Sequence, residues 1–274
     1  MKNICIIGYG SIGKRHHNLL SSRFPEAVFD IIDKTTDLQI DDCKKKQYDL
    51  AVVCVPTSCH LEVAKEFIHN SQLIFVEKPL DSDFSTIIEY QSLFAGISLH
   101  VGCNMRYTNA YKEIEEYKDR ARIVNVVATS FLPHWHNNGN WLKEYSANKS
   151  MGGGILLDGI HEPDYVSSIF GLPDKVNKIE KRIFDNVTLD STDSCLMNWY
   201  YEKSKLMVNF VLSYGTLEKR RHCSIVLEDS TEVRVDIGRD DHLIGYERQW
   251  DDILNNGPSN PYEDCLSLYK LLEI

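Results

Sequence analysis

The first hundred residues alternate short apolar runs with segments of helical spacing. The apolar runs are rich in β-branched residues and lie at Asn3–Ile7, Val28–Ile32, Leu50–Val55, Leu73–Val76 and Ser98–Gly102. Strands that are buried on both faces of a parallel sheet have this pattern. Helical spacing occupies Ser11–Ser22, His60–Asn70 and Phe84–Phe94. Repeated β-α units of this kind predict right-handed crossovers and a doubly wound α/β sheet.

After about residue 120 the pattern changes to longer strands separated by hairpin-like turns. It predicts a strand at Arg122–Leu132, a polar and aromatic loop over 133–150 and a helix over 154–170. Further strands are predicted at Lys178–Phe184, Ser194–Tyr200, Leu206–Ser213, His222–Leu227 and Glu232–Ile237, and terminal helices near Tyr246–Asn255 and Pro261–Leu272. We therefore predict a Rossmann domain over 1–120 and an α+β domain with a largely antiparallel open sheet over 121–274.

Composition narrows the class of protein. The 274 residues suit two modest domains, and a formal charge of −10 argues against nucleic acid or an anionic membrane as partner. No stretch approaches the roughly 20 apolar residues that cross a bilayer, and the first residues lack a signal-peptide pattern. Eight cysteines without a Cys-x-x-Cys pair favour reduced thiols. We expect a soluble, cytoplasmic protein.

A glycine-rich turn follows the first predicted strand and opens the first helix. Gly8, Gly10 and Gly13 match the pattern G-x-G-x-x-G in the context that a dinucleotide site requires. The first glycine permits a tight turn, the second lets the backbone approach a pyrophosphate, and the third allows close packing of helix on strand. Backbone N–H groups at the helix start, from Ser11 and Ile12, would face the phosphates. The turn predicts a dinucleotide cofactor.

Asp33 indicates which dinucleotide is bound. It stands twenty residues after Gly13, at the end of the second predicted strand. There a carboxylate can accept hydrogen bonds from the adenosine ribose and repel a 2′-phosphate, which favours NAD over NADP. Lys34 could tolerate the extra phosphate, so NADP stays possible. His16 and His17, in the same first helix, are expected to face solvent.

Three further segments complete a family resemblance. Pro56, Thr57 and His60 form a Pro-Thr-x-x-His segment, Glu77-Lys78-Pro79 follows the fourth predicted strand, and Gly152-Gly153-Gly154-Ile155-Leu156-Leu157-Asp158 opens the later helix. Together with the glycine turn, these motifs resemble the Gfo/Idh/MocA oxidoreductase family over nearly the whole chain.

The resemblance implies a fold, an activity and an assembly. Family members have a Rossmann domain followed by an open-sheet α+β domain. They act on sugars, inositols, sugar nucleotides and related small molecules with NAD(P), usually as oligomers packed through the sheet. The resemblance also implies that Pro56, Thr57, His60, Glu77 and Lys78 contribute to the cofactor site. We expect an NAD(P)-dependent dehydrogenase that acts on a sugar, amino sugar or sugar nucleotide, in a homo-oligomer.

Lys78 and His161 are the candidates for catalysis. Lys78 would stand at the carboxyl edge of the parallel sheet, where it can hydrogen-bond the reacting oxygen and stabilise negative charge. In the family the Lys-Pro bond that follows is often cis. His161 would accept the hydroxyl proton, since imidazole titrates near neutral pH. Asp158, three residues earlier, could orient the ring, although the family more commonly has an interval of four.

The predicted helix after the triple glycine carries other polar candidates. Asp158, His161 and Tyr165 would share one helical face and bind substrate. Pro163 should kink this helix or reset its start, which makes Asp164 another possible partner for His161.

Substrate and nicotinamide contacts are also expected elsewhere. Asn104 and Arg106 resemble the family's Asn-x-Arg at the domain junction, where they would contact nicotinamide or substrate. The loop that contains Trp135, His136 and Trp141 is dense in groups that stack on or hydrogen-bond sugars. His134 and His136 lack a third ligand at helical spacing, so no metal is expected.

Two other functions stay open. An epimerase or lyase could retain NAD and oxidise its substrate only transiently, and a regulator could bind NAD or a sugar without turnover. The presence of both Lys78 and His161 argues against the regulator, because a sensor needs no proton-transfer pair. Net formation of NADH in step with substrate consumption separates a dehydrogenase from the other enzymes.

Overall fold

Parallel strands form the sheet of the N-terminal part of the chain. The computed structural model describes residues 1–135, 140–185, 189–258 and 262–273. Within them, the first sheet has five strands: β1 (Asn3–Ile7), β2 (Val28–Ile32), β3 (Leu50–Val53), β4 (Ile74–Glu77) and β5 (Leu99–Gly102). Their order is β2-β1-β3-β4-β5, with every neighbouring pair parallel. Every residue of β3, β4 and β5 is buried, which confirms strands covered on both faces.

The helices between these strands follow the predicted alternation. They are α1 (Ser11–Arg23), α2 (Ile40–Cys43), α3 (His60–Ala64) and α4 (Phe84–Phe94). The second crossover contains only the four-residue helix α2. The predicted helix over 60–70 is shorter than expected, because α3 gives way to a 3₁₀ turn at Lys65–Phe67.

Two compact units divide the chain, residues 1–102 with 250–269 and residues 103–249 with 270–274. A single boundary at residue 120 does not describe this packing. The C-terminal segment returns to the first unit, because Trp250 and Ile253 belong to the same buried apolar cluster as Ile6, Val52 and Phe75.

The second unit is built on a mixed sheet. In the described residues it has six strands: β6 (Ala121–Phe131), β7 (Lys175–Lys181), β8 (Ser194–Tyr201), β9 (Leu206–Ser213), β10 (Gly215–Leu227) and β11 (Glu232–Asp236). Their order is β11-β10-β6-β9-β8-β7, and only β6 and β9 pair in parallel. The predicted α/β sheet followed by a largely antiparallel sheet is confirmed.

The helices of the second half differ more from the prediction. They are α5 (Asn109–Glu116), α6 (Ile155–Asp158), α7 (His161–Phe170), α8 (Arg239–Asn256) and α9 (Tyr262–Leu272). The prediction lacked α5, which Thr108 caps by accepting from the Tyr111 amide. The predicted helix over 154–170 is in fact two helices. Pro163 lies in the first turn of α7, where its missing N–H breaks no helical bond. None of the described helices is long and apolar enough to span a membrane.

Candidate cofactor and catalytic sites

The glycine turn has the geometry of a phosphate-binding turn. Gly8 has φ +89°, and a Cβ there would lie 2.5 Å from the Cys54 carbonyl oxygen. A Cβ on Gly13 would lie 2.0 Å from the Gly8 carbonyl oxygen, whereas one on Gly10 would meet nothing within 4 Å. Gly10 is the N-cap of α1 and no side chain caps the helix. The open space in front of Gly10 and the uncapped N–H groups of the first turn suit a pyrophosphate.

Asp33 lies beside this turn at the end of β2. Its Oδ2 accepts a hydrogen bond of 2.8 Å from the Tyr9 amide, and its Oδ1 accepts from the amide and hydroxyl of Thr35. The Tyr9 amide bond lowers the pKa of this carboxyl below its ordinary value, against the opposing effect of burial. An ionised carboxylate has about four acceptor positions. Asp33 therefore keeps acceptor capacity for ribose hydroxyls while it anchors the turn.

The loops after β3 and β4 are joined through His60. Thr57 and His60 are buried, and Pro56 is half-buried. One ring nitrogen of His60 lies 2.7 Å from the Pro79 carbonyl oxygen, and the other lies 2.9 Å from that of Val55. Burial lowers the pKa of His60, although both carbonyls oppose this effect. The bond between Lys78 and Pro79 is cis, as the family resemblance implied.

Glu77, the last residue of β4, is bound to the first helix from within the core. Its Oε1 lies 2.7 Å from Nε2 of His16, and its Oε2 accepts from the Lys78 amide at 3.1 Å. His16 is fully buried, so the expectation that it faces solvent is wrong. Burial raises the pKa of Glu77, but the hydrogen bond with His16 and the electrostatic effects of the neighbouring basic side chains outweigh it, and the pKa is lowered. Lys78 itself is half-buried.

The sheet order brings the predicted cofactor residues of the first unit to one edge. Gly8, Asp33, Pro56 and Lys78 each follow the carboxyl end of a different strand among β2, β1, β3 and β4. Ligands of open parallel sheets bind at this edge. A further predicted residue, Asn104, belongs to the second unit.

In the second unit, Asn104 and His161 share a neighbour that the motifs did not indicate. His242, on the first turn of α8, accepts at Nδ1 and at its backbone oxygen from Asn104 Nδ2, at 2.8 and 3.0 Å. The rings of His161 and His242 lie 5.8 Å apart between centroids, edge to face. A lone histidine at the polar start of a helix carries no spacing signal, so sequence reasoning had no means of finding His242.

The Asn104 side chain has one hydrogen-bond acceptor, Oδ1, that no group in the described part of the chain contacts as a donor. Asn104 is 1% exposed, and its Oδ1 has no hydrogen-bond partner in the described part of the chain. A buried amide oxygen without a partner is costly. It can accept a hydrogen bond from an N–H donor such as a carboxamide.

Buried ion pairs anchor the helix that carries His161. Arg106 donates to both carboxylate oxygens of Asp164, at 2.8 and 2.6 Å. Arg221 donates to Oε1 of Glu162 at 2.6 Å. Asp164, which the sequence suggested as a partner for His161, thus binds Arg106 through both of its carboxylate oxygens.

Asp158 does not lie on one helix with His161, whereas Tyr165 does. Asp158 ends α6, before the break at Gly159, and accepts a hydrogen bond from the Tyr214 hydroxyl. Tyr165 is four residues after His161 in α7 and shares a helical face with it. Tyr165 is 1% exposed and its hydroxyl lies 3.0 Å from Cys223 Sγ.

The aromatic loop is described in part. Trp135 is 43% exposed, donates to Ser130 Oγ at 3.0 Å and packs edge-on against Tyr214. Trp141 is half-buried in a 3₁₀ turn. His136 lies outside the described residues. Within those residues no cluster of His, Cys, Asp and Glu could hold a metal ion.

Comparison with known proteins agrees with this geometry. Residues 27–105 match a family described as "Oxidoreductase family, NAD-binding Rossmann fold". The uncharacterized oxidoreductase YrbE of Bacillus subtilis (strain 168) is 30% identical over an alignment of 139 residues, which covers 43% of this chain and 40% of that protein. The chain thus matches well under half of that relative's length.

Two solved structures resemble the whole chain. One is a putative myo-inositol dehydrogenase from Sinorhizobium meliloti 1021, with a TM-score of 0.80, 17% identity and coverage of 99% of this chain and 95% of that one. The other is scyllo-inositol dehydrogenase from Lactobacillus casei with bound NAD(H) and scyllo-inositol, with a TM-score of 0.76, 15% identity and coverage of 100% and 96%. At such identities the likeness shows the fold alone.

Proposed function

We propose that the protein is an NAD-dependent dehydrogenase that acts on the CH–OH group of an inositol, sugar, amino sugar or sugar nucleotide, because residues 27–105 match an oxidoreductase family with an NAD-binding Rossmann fold. The observation that carries this proposal is the position of Lys78. It follows β4 at the same edge of the sheet as the turn around Gly10, where open α/β sheets bind their ligands.

NAD would supply the hydride acceptor for oxidation of the carbinol carbon. Gly8, Gly10 and the first turn of α1 would hold its pyrophosphate, and Asp33 would accept hydrogen bonds from its ribose hydroxyls. The repulsion between the Asp33 carboxylate and a 2′-phosphate makes NAD the preferred cofactor over NADP.

Lys78 stabilises the hydroxyl oxygen of the substrate, on which negative charge develops when its proton is removed. An ammonium held at a partly buried position donates a hydrogen bond to that oxygen and lowers the energy of the developing alkoxide. The buried carboxylate of Glu77 lies next to Lys78 in the chain, and its Oε2 accepts a hydrogen bond from the Lys78 amide.

His161 accepts the hydroxyl proton. It is buried at the start of a helix whose position is maintained by the Arg106–Asp164 and Arg221–Glu162 ion pairs. A rigidly held imidazole meets the geometric demand of general base catalysis. The neighbouring His242, itself bound by Asn104, limits the orientations that the His161 ring can adopt.

The substrate class is supported by the two inositol dehydrogenases that the chain resembles in fold. Polyols and sugars also suit the exposed indole of Trp135, because a flat apolar ring packs against sugar C–H groups. Binding of these substrates by Trp135, Trp141, His136 and Arg106 is part of the proposal.

We further propose that the protein forms a homo-oligomer through the second sheet. The outer face of that sheet carries exposed apolar side chains, namely Ile123, Ile179, Leu196, Met207 and Val211. Leu196 pairs with Ile179 and Val211, and Ile123 pairs with Met207, so they form two rows across adjacent strands. A contiguous apolar surface of this kind marks a protein contact.

An asparagine ladder runs between these rows. Asn198 donates to Asn209 and Asn209 donates to Asn125, each at 2.8 Å. Side-chain amides offer both donors and acceptors, so a second copy of the same face can pair with them.

One assay tests the enzymatic proposal. The purified protein is incubated with NAD and, separately, with myo-inositol, scyllo-inositol, glucose and a panel of nucleotide sugars, and NADH is followed by absorbance. Formation of NADH equimolar with consumed substrate supports the dehydrogenase. Conversion of a substrate with no net NADH identifies an NAD-retaining epimerase or lyase instead. If the protein binds NAD but converts no member of the panel, and if Lys78→Met and His161→Asn behave like the wild type, the protein is a regulator.

A further inference from the structure

A continuous chain of buried hydrogen bonds leads from helix α8 to the backbone of Lys78. The indole Nε1 of Trp250 donates to Nδ1 of His16 at 2.9 Å. Nε2 of His16 lies 2.7 Å from Glu77 Oε1, and Glu77 Oε2 accepts from the Lys78 amide at 3.1 Å. Trp250 and His16 are 0% exposed and Glu77 is 6% exposed. All four residues belong to the first unit.

The donors in this chain determine the proton positions. An indole nitrogen can only donate, so Nδ1 of His16 must accept and carries no proton. The proton of a neutral imidazole then lies on Nε2, which donates to Glu77. Glu77 accepts twice, from His16 and from the Lys78 amide, and this arrangement is that of an ionised carboxylate. The orientation of each group therefore follows from the one before it.

We infer that Trp250 and His16 are positioning residues. They hold Glu77 as a carboxylate that accepts two hydrogen bonds, one from His16 and one from the Lys78 amide. The inference rests on the proposed function, because it assigns the chain of bonds to the lysine that we place at the reacting oxygen. It adds two residues, one of them from the C-terminal part of the chain, that no cofactor motif contains.

The surroundings of Glu77 explain why such a device is needed. The charged and titratable groups that act on the Glu77 site are His16 from α1, His60 from α3, and Lys78 and Cys54 from the ends of β4 and β3. Asp81, a buried acid of the following loop, faces His60. Burial by itself favours the protonated form of Glu77, so a proton would settle there unless hydrogen bonds favour the ionised form. The His16 bond supplies that preference.

The fixed tautomer makes a specific prediction for Glu77→Gln. The glutamine has one accepting oxygen and one donating amide nitrogen. If its oxygen accepts from the Lys78 amide, its NH₂ group faces the Nε2–H of His16, and two donors meet. His16 cannot switch its proton to Nδ1, because the Trp250 N–H occupies that side. Removing the indole N–H with Trp250→Phe frees Nδ1 to carry the proton, so Nε2 can accept from the glutamine.

Nitrogen-15 NMR of the histidine rings tests the chain without any substrate. His16→Gln identifies the His16 resonances. We expect His16 to be protonated only at Nε2 in the wild type, in Glu77→Gln and in Trp250→Phe. Only the double variant Trp250→Phe/Glu77→Gln should show the proton on Nδ1. Trp199→Phe is the matched control, because Trp199 is also fully buried but its Nε1 has no partner in the described part of the chain. An Nδ1-protonated His16 in the wild type overturns the inference.

Kinetics tests the positioning role, with NAD and myo-inositol as probes and scyllo-inositol as the alternative. Glu77→Gln should lower kcat about tenfold, the scale expected for a lost hydrogen bond to a charged group, with a smaller change in KM for NAD. The double variant should recover about threefold or more of that loss, which a role in packing alone would not produce. Trp199→Phe should leave kcat unchanged.

The outcomes separate the two proposals. If Lys78→Met abolishes turnover while Glu77→Gln and the double variant differ no more than Trp199→Phe from the wild type, the positioning role is wrong and the catalytic role of Lys78 stands. If Lys78→Met turns over normally, the catalytic role fails, and with it the purpose assigned to Trp250 and His16, whatever tautomer NMR finds.

Discussion

Asn104 Nδ2 donates to both Nδ1 and the backbone oxygen of His242, from a position that is 1% exposed. The amide thereby joins the segment after β5 to the first turn of α8 and sets the tautomer of a histidine that contacts His161. A Cβ on Gly245 would lie 2.5 Å from the Asn104 carbonyl oxygen. The two backbones are thus close enough that the contact depends on this glycine.

Replacing Asn104 should destabilise the protein. Asn104→Leu leaves the His242 ring nitrogen and carbonyl without their donor in a buried place, so we expect the free energy of unfolding to fall by about 2 kcal/mol. Urea denaturation measures this loss. The control is Asn256→Leu, which removes an exposed amide bond to Asp252 and should change stability by less than about 0.5 kcal/mol. Equal losses in the two variants would contradict the role assigned to Asn104.

Two glycines of the same turn should respond to alanine in opposite ways. A Cβ on Gly10 meets open space, so Gly10→Ala should fold normally and bind NAD about tenfold or more weakly, since the methyl group occupies the position of the pyrophosphate. Gly13→Ala places its methyl group 2.0 Å from the Gly8 carbonyl oxygen and should lower the melting temperature. Calorimetric titration with NAD and thermal unfolding distinguish the two effects. If Gly10→Ala binds NAD as tightly as the wild type does, the assignment of the pyrophosphate to this turn is wrong.

Asp33→Ala should narrow the preference for NAD over NADP. The variant loses an acceptor for the ribose hydroxyls and the repulsion of a 2′-phosphate, so the Kd for NAD should rise and that for NADP should fall. Both constants follow from quenching of tryptophan fluorescence. Because Asp33 also accepts from the Tyr9 amide, Asp33→Asn serves as the control that retains one accepting oxygen near the turn. An unchanged ratio of the two constants would refute the selectivity argument.

Glu77 should make stability depend on pH in acid. Its pKa is lowered in the folded protein from the ordinary 4.5. A carboxyl of this kind stabilises the folded state above pH 4.5, and this stabilisation is lost as the pH falls through the folded pKa. The stability gap between the wild type and Glu77→Gln should therefore narrow as the pH is lowered below about 4.5. Urea denaturation at a series of pH values measures it, with the exposed Glu232→Gln as control. A stability difference that widens in acid would show that the pKa of Glu77 is raised, not lowered, in the folded protein.

A charge on the outer face of the second sheet should dissociate the proposed oligomer. Leu196→Glu places a carboxylate between Ile179 and Val211, where it would be desolvated against a second copy. Sedimentation equilibrium should show a smaller species for this variant than for the wild type. Leu217 is even more exposed than Leu196 and lies on β10, outside the two rows. Leu217→Glu should therefore leave the mass of the sedimenting species unchanged. A wild-type protein that sediments as a monomer removes the proposal.

Local signals in the sequence were sufficient for much of the fold. The strands Asn3–Ile7, Val28–Ile32 and Leu206–Ser213 and the helix Phe84–Phe94 have the predicted limits, because strand burial and helical amphipathicity leave a pattern within a few residues. The glycine turn was equally readable, because the spacing of Gly8, Gly10 and Gly13 is itself a motif within six residues. The family motifs led to the NAD-binding Rossmann class, which the comparison over residues 27–105 confirms.

Long-range partners were beyond the reach of the sequence. His16 carries no mark that distinguishes it from His17, yet it lies in the core because Glu77 and Trp250, far away along the chain, each provide a hydrogen-bond partner. His242 and the ion pair of Arg106 with Asp164 are of the same kind. Spacing along the chain reports which side chains share an element, whereas the partner of a buried polar group depends on which elements pack together. The sequence by itself determined the division into a parallel and a largely antiparallel sheet and the class of cofactor. Only the tertiary structure decided which histidines are buried and which charges neutralise one another, because a buried polar group must find its partner in space.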